Sequence, residues 1–133
     1  MTTTIFTNAN VLDTRAGTIL PDHSVLVTDG KITEVSQTPL KADGAKVIDI
    51  KGRYLMPGLC DGHVHVTAIT PDFPMLKRLS PFYVAARSGD LLRDMLMRGF
   101  TTVRDAGGAD YGLSRAVDED KLIGPRVLFC GHA

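Results

Sequence analysis

No stretch of this sequence approaches the roughly 18 consecutive apolar residues that a membrane-spanning helix needs. The amino terminus, Met1-Thr2-Thr3-Thr4-Ile5-Phe6, lacks the basic segment and long apolar run of a secretory signal. Neither membrane insertion nor export is indicated, so a cytoplasmic location is expected. Cysteine is scarce, with only Cys60 and Cys130 present. A secreted mini-protein stapled by disulfides would carry more cysteines at closer spacing. Both lie among apolar, strand-like residues, which leads us to expect buried free thiols. Charge of one sign is not in excess: fifteen Lys and Arg balance fifteen Asp and Glu. No global field therefore draws the chain to nucleic acid or anionic lipid, although a local site can still be charged. What remains, 44% hydrophobic and 23% charged residues over 133 positions, is ordinary for a globular chain. The length suits one domain or a piece of a larger one.

Helical periodicity is missing from the first fifty-odd residues, which read as short strands with turn residues between them. Thr3 to Thr7 begins one strand, and Asn8 and Asn10 are turn-formers. Val25-Leu26-Val27 and Ile32-Thr33-Glu34-Val35 flank Asp29-Gly30, a strong hairpin signal because both residues tolerate positive φ. Val47-Ile48-Asp49-Ile50 and Arg53-Tyr54-Leu55-Met56 follow, separated by Lys51-Gly52. His23, within Pro21-Asp22-His23-Ser24, reads as a turn residue. This spacing predicts a small β-sandwich or half-barrel over residues 1–57.

Pro57-Gly58 marks a change of regime, and strands then alternate with helices. Leu59 to Val66 is strand-like, and Thr67 to Leu79 reads as a loop broken by Pro71 and Pro74. Ser80-Pro81 supplies a helix start, Val84, Ser88, Leu91, Leu92, Met95 and Leu96 share one face, and Gly99 supplies the stop. Phe100 to Arg104 is a strand, Tyr111 to about Lys121 a helix, and Arg126 to Cys130 a third strand. The order β-α-β-α-β over residues 58–133 predicts parallel strands covered by helices.

The chemistry centres on Met56-Pro57-Gly58-Leu59-Cys60-Asp61-Gly62-His63-Val64-His65. On a strand His63 and His65 point the same way and Val64 the other. Their Cα atoms then lie roughly 6.6 Å apart, close enough for two imidazoles to converge on one divalent ion at about 2.1 Å each. Alone, a His-x-His pair is more often two polar neighbours on one strand face. The context favours ligation: the pair follows Pro-Gly and an aspartate, and opens an α/β run after an all-β segment.

With Pro57 to His65, and with Gly99-Phe100-Thr101-Thr102-Val103-Arg104-Asp105-Ala106-Gly107-Gly108, the chain resembles the amidohydrolase superfamily. The Asp29-Gly30-Lys31-Ile32 hairpin and the Ile48-Asp49 strand also resemble its N-terminal β-domain. Within the superfamily the chain is most similar to the group of imidazolonepropionase-related proteins and Xaa-Pro dipeptidases. The resemblance implies a β-sandwich part followed by a TIM-like (β/α)8 barrel, with only about its first three strands present. It also implies a metal centre of one or two divalent ions, zinc by preference, at the C-terminal mouth of the barrel. His63 and His65 match the first-strand ligands. The remaining ligands, a lysine or carboxylate and two further histidines, and the aspartate that activates water come from later strands. The general base is therefore expected beyond residue 133.

Asp61 either touches the ion, since alternation places it on the face of the histidines, or orients a ligand or the strand end; the second is favoured. Arg104 and Asp105 close the second barrel strand, where functional residues collect, and an internal salt bridge between them is the equally weighted alternative. His132 matches no ligand position. Cys60 has no basic neighbour to lower its pKa and is expected to pack. Gly107-Gly108 lacks the pattern of a dinucleotide or phosphate loop. The resulting expectation is a metal-dependent hydrolase of an amide or peptide C–N bond, dipeptidase- or prolidase-like, acting on a small-molecule or dipeptide-like substrate. A cyclic amidohydrolase or deaminase of the same superfamily is the runner-up, and an incomplete fragment without activity of its own is the third. No nucleic-acid or membrane partner is expected. Homo-oligomers are common among such enzymes, but this sequence shows no interface signal.

Overall fold

The computed structural model describes residues 2–131, which leaves His132 outside the described residues. The chain divides into two compact units, Met1–Pro57 and Gly58–Ala133.

Five strands build the first unit: β1 (Thr3–Asp13), β2 (Thr18–Thr28), β3 (Lys31–Ser36), β4 (Lys46–Asp49) and β5 (Tyr54–Leu55). β1 runs antiparallel to β2 and parallel to β4 and β5, and β3 lies antiparallel on the far side of β2. Ile5, Ala9 and Val25 are buried at its centre. The Asp29-Gly30 hairpin forms with φ of 47° and 76° at the two residues, the backbone that a two-residue type I′ turn requires.

Asn8 and Asp22 also take positive φ, 54° and 52°, but they do not end strands. They sit where the β1–β2 register shifts, as bulges that bend a long strand without breaking it. β1 consequently continues past Asn8 to Asp13, and His23 lies in β2 opposite Ala9 rather than in a turn. Its Nδ1 donates to the Pro21 carbonyl at 2.7 Å.

The Asn8 side-chain amide donates to Asp49 Oδ1 at 2.9 Å, and the Lys51 N–H donates to the same oxygen at 2.8 Å. These bonds, the Asn8 amide foremost, hold the Asp49 carboxyl below its usual range. A carboxyl depressed in the folded state adds stability above its unfolded pKa, which is lost as pH falls through the folded value. Asn8→Ala should therefore raise the Asp49 titration midpoint toward the ordinary value of about 3.9 and reduce this acid-sensitive contribution. Carboxyl-carbon NMR titration reads the shift, and an unchanged midpoint would contradict the assignment.

The second unit contains β6 (Leu59–Val64), α1 (Phe73–Leu76), α2 (Pro81–Met97), β7 (Phe100–Asp105), α3 (Tyr111–Asp118) and β8 (Arg126–Phe129). β6, β7 and β8 are parallel neighbours in that order, with α2 and α3 as the crossovers. α1 is one turn inside the segment whose prolines suggested only loop; Asp72 caps it by accepting from the Met75 N–H at 2.9 Å. α2 starts at Pro81, whose fixed φ suits the first turn, while the Ser80 side chain makes no capping bond. Gly99, at φ 96°, ends it as a left-handed residue. α3 stops at Asp118, short of Lys121, and Asp120 then takes a φ of 56°.

Val64, Val66, Leu92, Val103, Ala109, Leu113, Val117 and Val127 form one buried cluster between sheet and helices. Leu128 and Arg104, which alternate with buried Val127 and with Val103 and Asp105, are exposed. This one-sided cover leaves both cysteines outside the core. Cys60 and Cys130 are free, as expected, but both are exposed rather than buried. Cys60 is in register with Thr102, not with buried Val103, so apolar sequence neighbours do not bury it. No described helix is long and apolar enough to cross a membrane.

Candidate metal centre

β6 carries His63 and His65 to its C-terminal end. Val64 and Val66, which alternate with them, are 8% and 0% exposed and belong to the core. Burying the two valines turns both imidazoles to the opposite, exposed side. The two ring centroids are 5.3 Å apart and the ring planes meet at 74°. A ligating imidazole at about 2.1 Å puts its centroid roughly 3.2 Å from the ion, so two rings at a tetrahedral angle have centroids about 5.3 Å apart. The observed spacing fits a shared cation.

His65 Nδ1 lies 2.9 Å from the Gly107 carbonyl oxygen. A carbonyl can only accept, so Nδ1 carries the proton, which in the neutral tautomer leaves the lone pair on Nε2. Metal-binding histidines are commonly oriented by such a bond on the other nitrogen. The sequence does not mark Gly107 for this part, because a backbone carbonyl leaves no residue-type signal. The glycine pair itself does leave one: a Cβ at Gly108 would collide with the Thr67 side chain.

The other residues around the motif hold the strand ends together. Asp61, half-buried, accepts from the His63 N–H at 3.0 Å through Oδ1. Asp61 is in register with Val103 and Val64 with Asp105, three residues of β6 against two of β7. This bulge interrupts the alternation that placed Asp61 on the face of the histidines. Arg104 donates from Nε to the Gly62 carbonyl at 2.6 Å. Asp105 is fully buried. Its Oδ2 accepts from the Val66 N–H at 2.7 Å, and its Oδ1 accepts from Gly107 at 2.9 Å and Ala109 at 3.1 Å. Arg104 and Asp105 point to opposite faces of β7, and the internal salt bridge weighed for them is not formed.

No three His, Cys, Asp or Glu side chains converge on one point among the described residues. Two imidazoles are half of a four-coordinate set, and their nitrogens suit zinc and other first-row divalent ions.

Residues 54–132 match the Amidohydrolase family, more than half of the chain. An adenine deaminase of Dehalococcoides mccartyi is 32% identical over 126 residues, which cover 95% of this chain and 20% of that protein. A prolidase crystallised with N-methylphosphonate-L-proline superposes with a TM-score of 0.95 at 40% identity, over 99% of this chain and 32% of that one. A solved amidohydrolase gives a TM-score of 0.94 at 45% identity, over 99% and 32%. The chain spans 10% to 20% of the length of the curated relatives it matches and about a third of these two solved chains. The fold is accordingly a β-sandwich part followed by the opening strands of a (β/α) barrel, β6, β7 and β8. This chain belongs to the amidohydrolase family.

Proposed function

We propose that His63 and His65 are protein ligands of a centre of one or two divalent ions, zinc by preference, in a hydrolase acting on the C–N bond of an amide or peptide. The observation that carries this reading is the imidazole pair, with centroids 5.3 Å apart and the His65 Nδ1 already engaged by Gly107. A bound divalent ion supplies polarisation of a carbonyl oxygen and a water whose pKa falls toward neutrality. The residues of this chain position that chemistry. Gly107 aims the His65 ring, Asp61 fastens the His63 backbone, and Arg104 ties the preceding Gly62 to β7. The general base is not assigned to any of them. The preferred substrate is dipeptide-like with proline on the C-terminal side, supported by 40% identity to a prolidase over nearly the whole chain. Deamination, or opening of a cyclic amide, is the second reading, favoured by the likeness to an adenine deaminase.

Turnover by the metal-replete full-length protein of Xaa-Pro dipeptides, a hydantoin-like ring and adenine separates these readings. Dipeptide hydrolysis that disappears in His65→Ala is the expected result. Turnover of adenine or the ring alone would select the second reading, and inactivity toward all C–N substrates would reject both.

A further inference from the structure

Asp105 is a fully buried carboxylate with no cation against it among the described ion pairs. Its partners are three backbone N–H groups from two chain segments. Two belong to the turn after β7, at Gly107 and Ala109; the third, Val66, follows His65. Gly107 is held through its N–H by Asp105 Oδ1 and holds His65 Nδ1 through its carbonyl. His65 is therefore gripped twice from one carboxylate, at its ring through Gly107 and at the next residue through Val66. A second clasp in the same place, the Ala106 N–H donating to the Val64 carbonyl at 2.8 Å, fixes the turn against the end of β6.

We propose that Asp105 is a positioning residue that selects the tautomer and aim of His65. Resting on the reading of His65 as a metal ligand, it assigns the holding of that ligand to a side chain that does not itself reach the ion. Charge-assisted bonds to the Gly107 and Ala109 N–H groups fix the two peptide planes that flank the one bearing the Gly107 carbonyl, and so keep that carbonyl toward the ring. That carbonyl accepts only from an Nδ1-protonated imidazole, so of the two neutral tautomers it selects the one whose lone pair is on Nε2. His63, whose backbone is held by Asp61 instead, lies outside this linkage. A carboxylate is required because both oxygens must accept. Asparagine at 105 would turn an NH2 group toward the donors of one segment or the other.

The test uses full-length protein with 15N-labelled histidine, stripped of metal, and zinc(II) as the probe. In the wild type the His65 ring is expected in its Nδ1-protonated form. In Asp105→Asn that ring should become a mixture of tautomers while His63 stays unchanged, and zinc affinity measured by chelator competition should fall about 10- to 100-fold, the range for outer partners of a ligating histidine. A folded Asp105→Asn protein whose His65 remains solely Nδ1-protonated overturns the proposal. If Asp105→Asn does not fold, the wild type decides. A His65 ring protonated at Nε2, or exchanging between forms, overturns the proposal; a fixed Nδ1–H with Gly107 and Val66 amide protons shifted downfield supports it. His65→Ala separates this from the ligand assignment. Full zinc binding in that variant removes His65 as a ligand, while the tautomer result still reports on the linkage itself.

Discussion

Replacing His63 and His65 together by alanine is expected to empty the full-length protein of its metal and abolish C–N hydrolysis. Losing only an outer-shell partner of a metal-bound histidine costs about 10- to 100-fold in affinity, so losing both ligands exceeds 100-fold. The activity that goes with the ion is larger still. Lewis-acid stabilisation contributes several kcal/mol to the transition state, and each 1.36 kcal/mol is tenfold, so turnover should fall by about 1,000-fold or more. The fold should survive, because both imidazoles are exposed and the buried valines that seat the strand, Val64 and Val66, remain. Far-UV circular dichroism and the unfolding midpoint of the stripped proteins should agree between variant and wild type. If the histidines were merely polar neighbours on one strand face, the same substitutions would leave metal content and turnover untouched.

Asp105→Ala should produce the largest loss of stability of any single polar substitution around the motif. Alanine at 105 removes both acceptor oxygens and leaves the N–H groups of Val66, Gly107 and Ala109 without partners. An orphaned buried donor costs about 1–3 kcal/mol. Partial relaxation that admits water to the exposed turn lowers the sum, and about 3–5 kcal/mol is expected, against a typical total of roughly 5–15 kcal/mol. Asp61→Ala is the internal comparison. It also removes an acceptor for a backbone N–H beside the motif, but at a half-buried position that water reaches, and should cost no more than about 1 kcal/mol. Urea unfolding of both variants measures the difference. Equal and small losses would mean that Asp105 does not organise the strand ends.

The features legible from residue types were those that depend on local backbone chemistry. The Asp29-Gly30 turn follows from tolerance of positive φ, the start of α2 from Pro81, and its end from Gly99. The shared side of His63 and His65 follows from strand alternation with Val64. Contacts made by backbone atoms of distant segments left no such trace. The acceptor for His65 is a carbonyl forty-two positions away, and three main-chain N–H groups satisfy Asp105, where composition offered a salt bridge to Arg104 instead. Bulges were hidden for a related reason. Asn8 and Asp22 have the residue types of turns, and only pairing across β1 and β2 shows that the strands continue through them. The bulge between Asp61 and Val64 likewise breaks an alternation that three consecutive odd-numbered positions suggested. The exposure of the two cysteines is not legible either, because strand apolarity does not tell which face a helix covers.

Anomalous diffraction at the zinc absorption edge from crystals of the full-length protein tests the central claim most directly. A single anomalous peak, or two close ones, about 2.1 Å from His65 Nε2 and from a ring nitrogen of His63 is the predicted result, with Gly107 still accepting from His65 Nδ1. A peak ligated elsewhere in a zinc-replete, active crystal, with both imidazoles free of it, would contradict the account.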